Sequence, residues 1–176
     1  MNPNFSDVAD NEFVQLENFP DYSINKLGQI QNNSTGRILP THFQHKYLAI
    51  TLNQNSIKKS VRVHRLLADT FLLNLENKKL VDHIDRNPAN NNLSNLRWCT
   101  RVENSYNMSK TKKKTSSKYK GVFKIKNNQY RAAIRKNGKL FHTGRFSTKK
   151  EAAVEYNMKV IELFGEFTVL NIINLE

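Results

Sequence analysis

The sequence is poor in cysteine and has no long apolar run. A single cysteine, Cys99, excludes a disulfide scaffold and a zinc site built from several cysteines. No stretch of about 18 apolar residues is present, which excludes an ordinary transmembrane helix. Residues 1–10 lack the basic-then-apolar pattern of a secretory signal. We therefore expect a cytoplasmic protein with no membrane partner.

Acidic residues are also scarce, and they are unevenly distributed. The 176 residues contain 28 Lys and Arg against 15 Asp and Glu, a formal net charge of +13. Residues 1–109 hold 12 basic and 10 acidic residues, whereas residues 110–176 hold 16 and 5. A strongly basic segment beside a near-neutral one indicates a polyanion-binding module next to a segment with another role. A basic surface kept for solubility, or a membrane-surface contact, is the alternative, but no Lys-rich amphipathic helix supports the latter.

The charge break falls in the run SKTKKKTSSKYK, whose Ser, Thr and Lys residues cannot form a core. We read it as a solvated linker. The chain is thus predicted to divide into segments 10–51, 52–109 and 118–171, with a basic linker over 110–117. In the first segment, apolar residues around Asn25 and Gly28 predict a small antiparallel hairpin. Apolar spacing over residues 60–73 predicts an amphipathic helix.

The segment from residue 80 to residue 110 carries the candidate chemistry. Residues 80–84 (LVDHI) and 96–100 (LRWCT) read as short strands, and the asparagine-dense loop between them can satisfy its own backbone. Thr100 and Glu103 fit a capping box, which predicts a helix there. Strand, loop, strand and helix would then bring together four polar side chains: Asp82, His83, Asn95 and Asn104.

The same residues carry a family resemblance. VDHIDRNPANNNLSNLRWCTRVENSYN resembles the HNH nuclease motif, the β-β-α-metal active site of homing endonucleases. VRVHRLLADTFL resembles the helix that usually precedes that motif, and NFPDYSINKLGQI resembles a modular DNA-binding motif found N-terminal to such nucleases in phages. The resemblance implies a modular DNA-binding hairpin region over 10–51 and an HNH nuclease module over 52–109.

Hydrolysis of a phosphodiester needs an activated water and an electrophilic metal. An imidazole accepts a proton near neutral pH, so we assign His83 as the general base. Asp82 and Asn104 offer hard oxygen ligands, which favour Mg²⁺ or Mn²⁺. By resemblance, Asn95 is the family's central asparagine, which braces the loop and orients the histidine. The resemblance also implies products with a 5′-phosphate and a 3′-hydroxyl.

Each of these residues, taken alone, has a simpler structural explanation. A single histidine at a strand end usually packs, and a single Asp or Asn usually makes a turn; only the four together, in order and spacing, favour a site. We assign His64 a structural or phosphate-contacting role, Trp98 a place in the core, and Cys99 the role of a small buried apolar residue. Asp85 is a candidate for an acidic residue that supports the metal ligands without binding the metal itself.

The last segment predicts a small sheet and one helix. Three runs with strand-like alternation are separated by Asn127-Asn128 and by Asn137-Gly138, a strong hairpin signal. Thr148 with Glu151 predicts a second capping box, and Gly165 a helix end. The expected fold class is α+β: a β-β-α-metal nuclease core followed by a three-stranded antiparallel sheet packed on one helix.

This segment resembles the Apetala/ethylene-response-factor DNA-binding domain, through KYKGV, QYRAAIR, HTGRF, EAAVEYN and FGEFTVLN. The chain departs from the family in having Tyr130 where a tryptophan is frequent, and His142-Thr143-Gly144 in place of WLG. For Tyr130 and Phe141 core packing is an equal alternative to base contact. The candidate DNA-binding residues, most of them assigned to phosphates, are Lys120, Lys124, Lys126, Tyr130, Arg131, Arg135, Lys139 and Arg145.

Taken together, the sequence predicts a metal-dependent HNH homing endonuclease that binds double-stranded DNA sequence-specifically. One active site in a monomer favours nicking of one strand; cutting both would need a dimer or a second visit. We expect no obligate protein partner and a location in a bacterial or phage-infected cell. Two alternatives stay open: a DNA-binding regulator with an inactive nuclease module, and an RNA-binding protein, which the absence of an aromatic stacking platform disfavours.

Overall fold

The computed structural model describes residues 7–108 and 116–173. The chain divides into two compact units, Met1–Arg101 and Val102–Glu176. The domain boundaries expected from the sequence stay predictions, and residues 110–115 of the expected linker lie outside the described residues.

The first unit begins with a three-stranded antiparallel sheet in the order β1-β2-β3: β1 (Val14–Leu16), β2 (Phe19–Ile24) and β3 (Ile30–Asn32). The expected turn between β2 and β3 is present, closed by the Gly28 N–H donating to the Asn25 carbonyl at 2.9 Å. The expected hairpin is thus extended by a further strand, β1, which pairs with β2 from Val14 to Leu16.

A second antiparallel sheet, not expected from the sequence, follows: β4 (His42–Gln44), β5 (Tyr47–Gln54) and β6 (Ile57–Arg62). Asn55 and Ser56 both have positive φ, 50° and 64°, as tight hairpin turns require. The expected helix over 60–73 is therefore too long at its start. Residues 60–62 pair with Ala49–Thr51 of β5 as the end of β6, because ladder hydrogen bonds satisfy their backbone.

Helix α1 (Val63–Phe71) packs its apolar side against both sheets. The fully buried core of this unit includes Ile24, Ile30, Ile50, Leu52, Val63 and Leu67. A two-stranded antiparallel sheet follows, formed by β7 (Leu80–His83) and β8 (Leu96–Cys99), with a 3-10 turn at Leu93–Asn95 leading into β8. Both strands agree with the sequence-based prediction.

Helix α2 (Arg101–Tyr106) leads into the second unit. There the sheet has the order β11-β10-β9: β9 (Val122–Lys124), β10 (Tyr130–Lys136) and β11 (Lys139–His142). Helix α3 (Lys149–Phe164) covers one face and buries Ala152, Ala153, Tyr156 and Val160; a 3-10 turn, Gly165–Phe167, follows it. The capping box of Thr148 and Glu151 and the helix end at Gly165 are present as expected.

The mixed fold of small antiparallel sheets with a sheet-and-helix C-terminal unit confirms the expected α+β class. Across residues 7–108 and 116–173, no helix has the length and apolar character needed to cross a membrane.

Gly121 lies where the sheet of the second unit packs closely against helix α3. Its φ is +72°, and an added Cβ would overlap the Tyr156 ring, with Cδ2 at 2.6 Å and the Ala133 carbonyl oxygen at 2.9 Å. We expect Gly121→Ala to lower the free energy of unfolding of this unit by about 3 kcal/mol, combining overpacking with left-handed strain. Urea unfolding followed by circular dichroism measures it.

Gly138 is the matched control, because its φ is +78° and nothing lies within 4 Å of an added Cβ. Gly138→Ala carries only the backbone strain, about 1 kcal/mol. Equal losses at the two positions would contradict the close approach at Gly121.

Candidate active site

The antiparallel register of β7 and β8 places the candidate site. Asp82 lies opposite Arg97 and His83 opposite Leu96. Alternation along the strand points adjacent side chains to opposite faces, yet both are buried, Asp82 at 7% and His83 at 5% exposure. The end of β7 thus holds a carboxylate and an imidazole that are both withdrawn from bulk water.

The loop between the strands is closed by the amide of Asn95. Its Oδ1 accepts from the Asp85 N–H at 2.9 Å, and its Nδ2 donates to Asp85 Oδ1 at 2.9 Å and to the Asn90 carbonyl at 2.8 Å. The Asn95 carbonyl accepts from the Ile84 N–H at 2.8 Å. These contacts brace the loop, and the catalytic role expected of Asn95 stays a prediction.

The Asp85 carboxylate accepts several hydrogen bonds from the same loop. Its Oδ1 also accepts from the Asn87 N–H at 2.7 Å, and its Oδ2 accepts from Asn90 Nδ2 at 2.8 Å. Desolvation acts to raise the pKa of the Asp85 carboxyl, but the hydrogen bonds from Asn87, Asn90 and Asn95 and the charge of His83 outweigh it and lower the pKa. The carboxylate form is thus the one that the loop is built around.

The His83 ring is held by neighbours from three parts of the first unit. Its Nε2 lies 3.0 Å from Asn91 Oδ1. The His64 ring packs against it edge-on, with centroids 4.9 Å apart, and the Tyr47 ring lies at 6.1 Å. The Arg62 guanidinium in turn stacks over Tyr47 at 4.5 Å. A loop, a helix and a sheet therefore fix the imidazole.

His64 is the most deeply buried polar group beside the site, at 2% exposure, and its Nδ1 has no hydrogen-bond partner among the described residues. Burial lowers the pKa of His64 to about 3, helped by the charges of His83, Arg62 and Arg65. His64 is therefore neutral at physiological pH. The buried placement agrees with a structural role, as expected.

Asp82 pairs with Arg97 across the two strands. Arg97 Nη2 and Nε donate to the same carboxylate oxygen, Oδ2, at 2.9 and 3.1 Å. Both side chains are nearly buried, so the guanidinium fixes the orientation of the carboxylate. Arg97 is not among the residues expected from the sequence, although pairing the two expected strands across their loop places it opposite Asp82.

Asn104 lies half-buried on α2, in the second unit, and stays a predicted ligand. Within that unit α2 is anchored at its end: the Tyr106 ring stacks on Phe164 with centroids 3.7 Å apart. Lys120 Nζ donates to the carbonyls of Tyr106 and Met108 at 3.0 and 2.6 Å. Lys120, expected to contact DNA, thus supports α2 in this structure.

The other candidate DNA-binding residues differ in their surroundings. Cross-strand pairing puts Arg131 beside Phe123 and Arg135 beside Leu140, on the sheet face away from α3. Arg131 Nε is buried without a partner among the described residues. Tyr130 packs partly against the core, in line with the packing alternative. The remaining candidates have exposed side chains: Lys124, Lys126, Lys139 and Arg145.

Trp98 and Cys99 agree with their expected packing roles. Cys99 is fully buried as a thiol. Trp98 is half-buried, donates from Nε1 to the Leu72 carbonyl at 3.1 Å and carries the Arg65 guanidinium over its ring. Over the described parts of the chain, no group of three or more His, Cys, Asp or Glu side chains could hold a metal ion.

Comparison with known families now bears on this site. Residues 61–106 match the family model described as HNH endonuclease. The matched span runs from the end of β6 to the end of α2 and contains all four candidate residues. This part of the chain is therefore similar to the HNH endonuclease family.

Several curated relatives are similar over this part of the chain. An uncharacterized HNH endonuclease, L560, of Acanthamoeba polyphaga mimivirus is 47% identical over 91 residues, which cover 52% of this chain and 46% of the relative. The DNA endonuclease I-HmuI of Bacillus phage SP01 is 33% identical over 107 residues, covering 60% and 62%. The H-N-H endonuclease F-TflI of Escherichia phage T5 is 32% identical over 95 residues, covering 52% and 49%. The chain thus spans about half the length of these relatives.

A solved structure of the HNH homing endonuclease I-HmuI, which describes DNA binding and cleavage, is similar in fold. The TM-score is 0.52 at 24% identity, and the match covers 87% of this chain and 91% of that one. The likeness establishes a shared fold over most of the described chain. It agrees with the mixed class of small antiparallel sheets found here.

The buried neutral state of His64 predicts a pH dependence of stability. The pKa of His64 falls from its ordinary 6.5 to about 3 on folding. Between these two pH values the unfolded chain binds a proton at this ring and the folded chain does not. The stabilising contribution is complete above pH 6.5 and is lost as the pH falls towards 3, on the order of 5 kcal/mol in total. Urea unfolding of wild type and His64→Phe across this range measures it.

The His64→Phe curve should lose less stability on acidification than wild type, since its ring takes up no proton. His42→Phe, a change of an exposed side chain on β4, is the control and should follow the wild-type curve. Parallel curves for wild type and His64→Phe would contradict the assignment.

Proposed function

We propose that this protein is a metal-dependent DNA endonuclease of the homing type, with His83 as the general base. The observation that carries the proposal is the pair of adjacent buried residues, Asp82 and His83, at the end of β7. The Asn95 network closes the loop beside them. This pair lies within residues 61–106, which match the HNH endonuclease family model.

The chemistry follows from what the residues offer. An imidazole held at a fixed orientation can take the proton of an attacking water during phosphodiester hydrolysis. The contacts with Asn91 and His64 provide that orientation. Because burial keeps His64 neutral, that ring adds no positive charge to the site.

Asp82 and Asn104 are the proposed ligands of a divalent cation, Mg²⁺ or Mn²⁺. Carboxylate and amide oxygens suit these hard ions. The Asp82 side chain fits the role because a neighbouring guanidinium orients it, as groups around metal ligands commonly do. When bound, such an ion stabilises charge on the scissile phosphate and the leaving oxygen.

The first unit, although nearly neutral in net charge, also has a basic region that would contact DNA. Residues 22–68 contain seven Lys and Arg and no Asp or Glu. Lys58, Lys59 and Arg62 of β6 are exposed, and Lys46 and Arg62 both lie over the Tyr47 ring beside His83. A basic sheet next to the proposed base would hold the phosphate backbone at the site.

The second unit is proposed to read the sequence. Residues 104–150 contain no Asp or Glu, and the sheet face opposite α3 carries Arg131 and Arg135. Strands of this size fit a major groove, where arginine pairs with guanine. Linking this reader to the nuclease raises the local concentration of the nuclease at one site.

We infer that the monomer nicks one strand and leaves a 5′-phosphate and a 3′-hydroxyl, because one site cuts one strand per visit. The alternative, a regulator with an inactive nuclease, is favoured by Arg97. Its guanidinium neutralises the Asp82 carboxylate, which weakens the attraction of that carboxylate for a cation. Metal dependence therefore separates the two functions.

His83→Ala should abolish cleavage while DNA affinity changes little, because the buried imidazole contributes to proton transfer rather than to the exposed basic surfaces. The measurement compares cleavage rate and filter-binding affinity on duplex DNA from the region flanking the gene. Retained cleavage by the variant would remove His83 as the base. Loss of binding together with cleavage would contradict the separation of the two roles.

Asp82→Ala and Asn104→Ala should each raise the Mg²⁺ concentration needed for half-maximal cleavage by about 10–100-fold, because each removes one oxygen ligand. A metal titration at saturating DNA measures the change. Glu76→Gln, which alters an exposed carboxylate paired with Lys78, is the control and should titrate as wild type. Unchanged titrations in the two alanine variants would exclude these side chains as ligands.

A further inference from the structure

Asn91 contacts Nε2 of His83, the ring nitrogen farther from the backbone. The distance from Asn91 Oδ1 to His83 Nε2 is 3.0 Å. An amide oxygen only accepts hydrogen bonds, so the proton of this bond sits on Nε2. A neutral imidazole has a single N–H, and Nδ1 is then the nitrogen with the lone pair.

The central asparagine is not available for this task. Both the Oδ1 and the Nδ2 of Asn95 are engaged with the loop, through Asp85 and the Asn90 carbonyl. An amide offers two N–H donors and one carbonyl oxygen, and these bonds use them within the loop. Bracing of the loop and contact with the histidine are thus divided between two asparagines.

The amide nitrogen of Asn91 makes no hydrogen bond to any described residue that would offset its burial. Its Nδ2 is buried and has no hydrogen-bond partner among the described residues. A buried N–H without a partner opposes folding, and such groups are rare in native structures. Asn91 carries this cost while its oxygen contacts the His83 ring, and a buried unsatisfied group of this kind is often associated with a functional contact.

We propose that Asn91 is a positioning residue, which fixes His83 in the tautomer with the proton on Nε2 and thereby presents Nδ1 as the base. This inference rests on the proposed nuclease function. The Asn95 network positions Asn91 next to His83. Asn90, the residue before Asn91, is hydrogen-bonded to both Asp85 and Asn95. The loop therefore delivers the amide to the ring at a set distance.

Asn91→Leu tests the proposal because leucine has nearly the same size, lacks the acceptor and removes the unsatisfied donor. We expect the single-turnover cleavage rate at saturating DNA to fall by about 10–100-fold, with DNA affinity and urea stability retained. Asn91→Asp keeps the accepting oxygen and should restore a rate close to wild type. Asn92→Leu is the control, because Asn92 is exposed in the same loop and should cut as wild type.

A spectroscopic readout on the full chain is independent of cleavage. Long-range ¹H–¹⁵N correlation spectra of the histidine rings, recorded where the rings are neutral, report which nitrogen carries the proton. Wild type and Asn91→Asp should show His83 with the proton on Nε2, whereas Asn91→Leu should show a mixture of the two tautomers. An unchanged His83 tautomer in Asn91→Leu would overturn the proposal, as would an unchanged cleavage rate.

Failure of the proposed function would look different. If wild type cuts no DNA with any divalent metal, the nuclease proposal fails. The tautomer measurement then still decides whether Asn91 sets the state of the His83 ring. A tautomer change without any cleavage would retain the contact and reject its catalytic purpose.

Discussion

The side-chain amide of Asn95 is the interaction on which the candidate site depends. Its three hydrogen bonds to Asp85 and Asn90 fold an asparagine-rich loop back onto the end of β7 and β8. Without them, a loop of this polarity would be solvated and would hold no fixed position. With them, the loop delivers Asn91 to His83 and seals the strand end where Asp82 is buried. Closure of the loop and the arrangement of the candidate site therefore depend on the same hydrogen bonds.

Buried and exposed charged groups around the candidate site differ in kind. Buried groups beside His83 are kept neutral or paired: burial holds His64 uncharged, with its pKa at about 3, and Arg97 pairs with Asp82. Exposed basic side chains lie along β6 in the first unit and on the sheet of the second. Such a division lets basic surfaces attract a polyanion without placing an unpaired cation against the imidazole. The proposed chemistry and the proposed binding then draw on different residues.

Local signals in the sequence predicted much of the fold. The capping box at Thr148 and the hairpin turn at Asn137-Gly138 depend on neighbouring residues only, and both are found. What the sequence could not reveal depends on contacts between distant segments. The pairing of β5 with β6 converts residues 60–62 from expected helix to strand, and the packing of His64 on His83 needs α1 and β7 in place. The contact of Asn91 with His83 likewise depends on how the loop folds back onto β7.

The measurement that tests the account most directly is conversion of a supercoiled plasmid carrying the gene's flanking region, with Mg²⁺ or Mn²⁺ and with EDTA. The account predicts metal-dependent formation of the nicked circle, and none in EDTA. A plasmid that stays supercoiled with either metal, while the protein still protects a site on it, would contradict the account and identify a DNA-binding regulator instead.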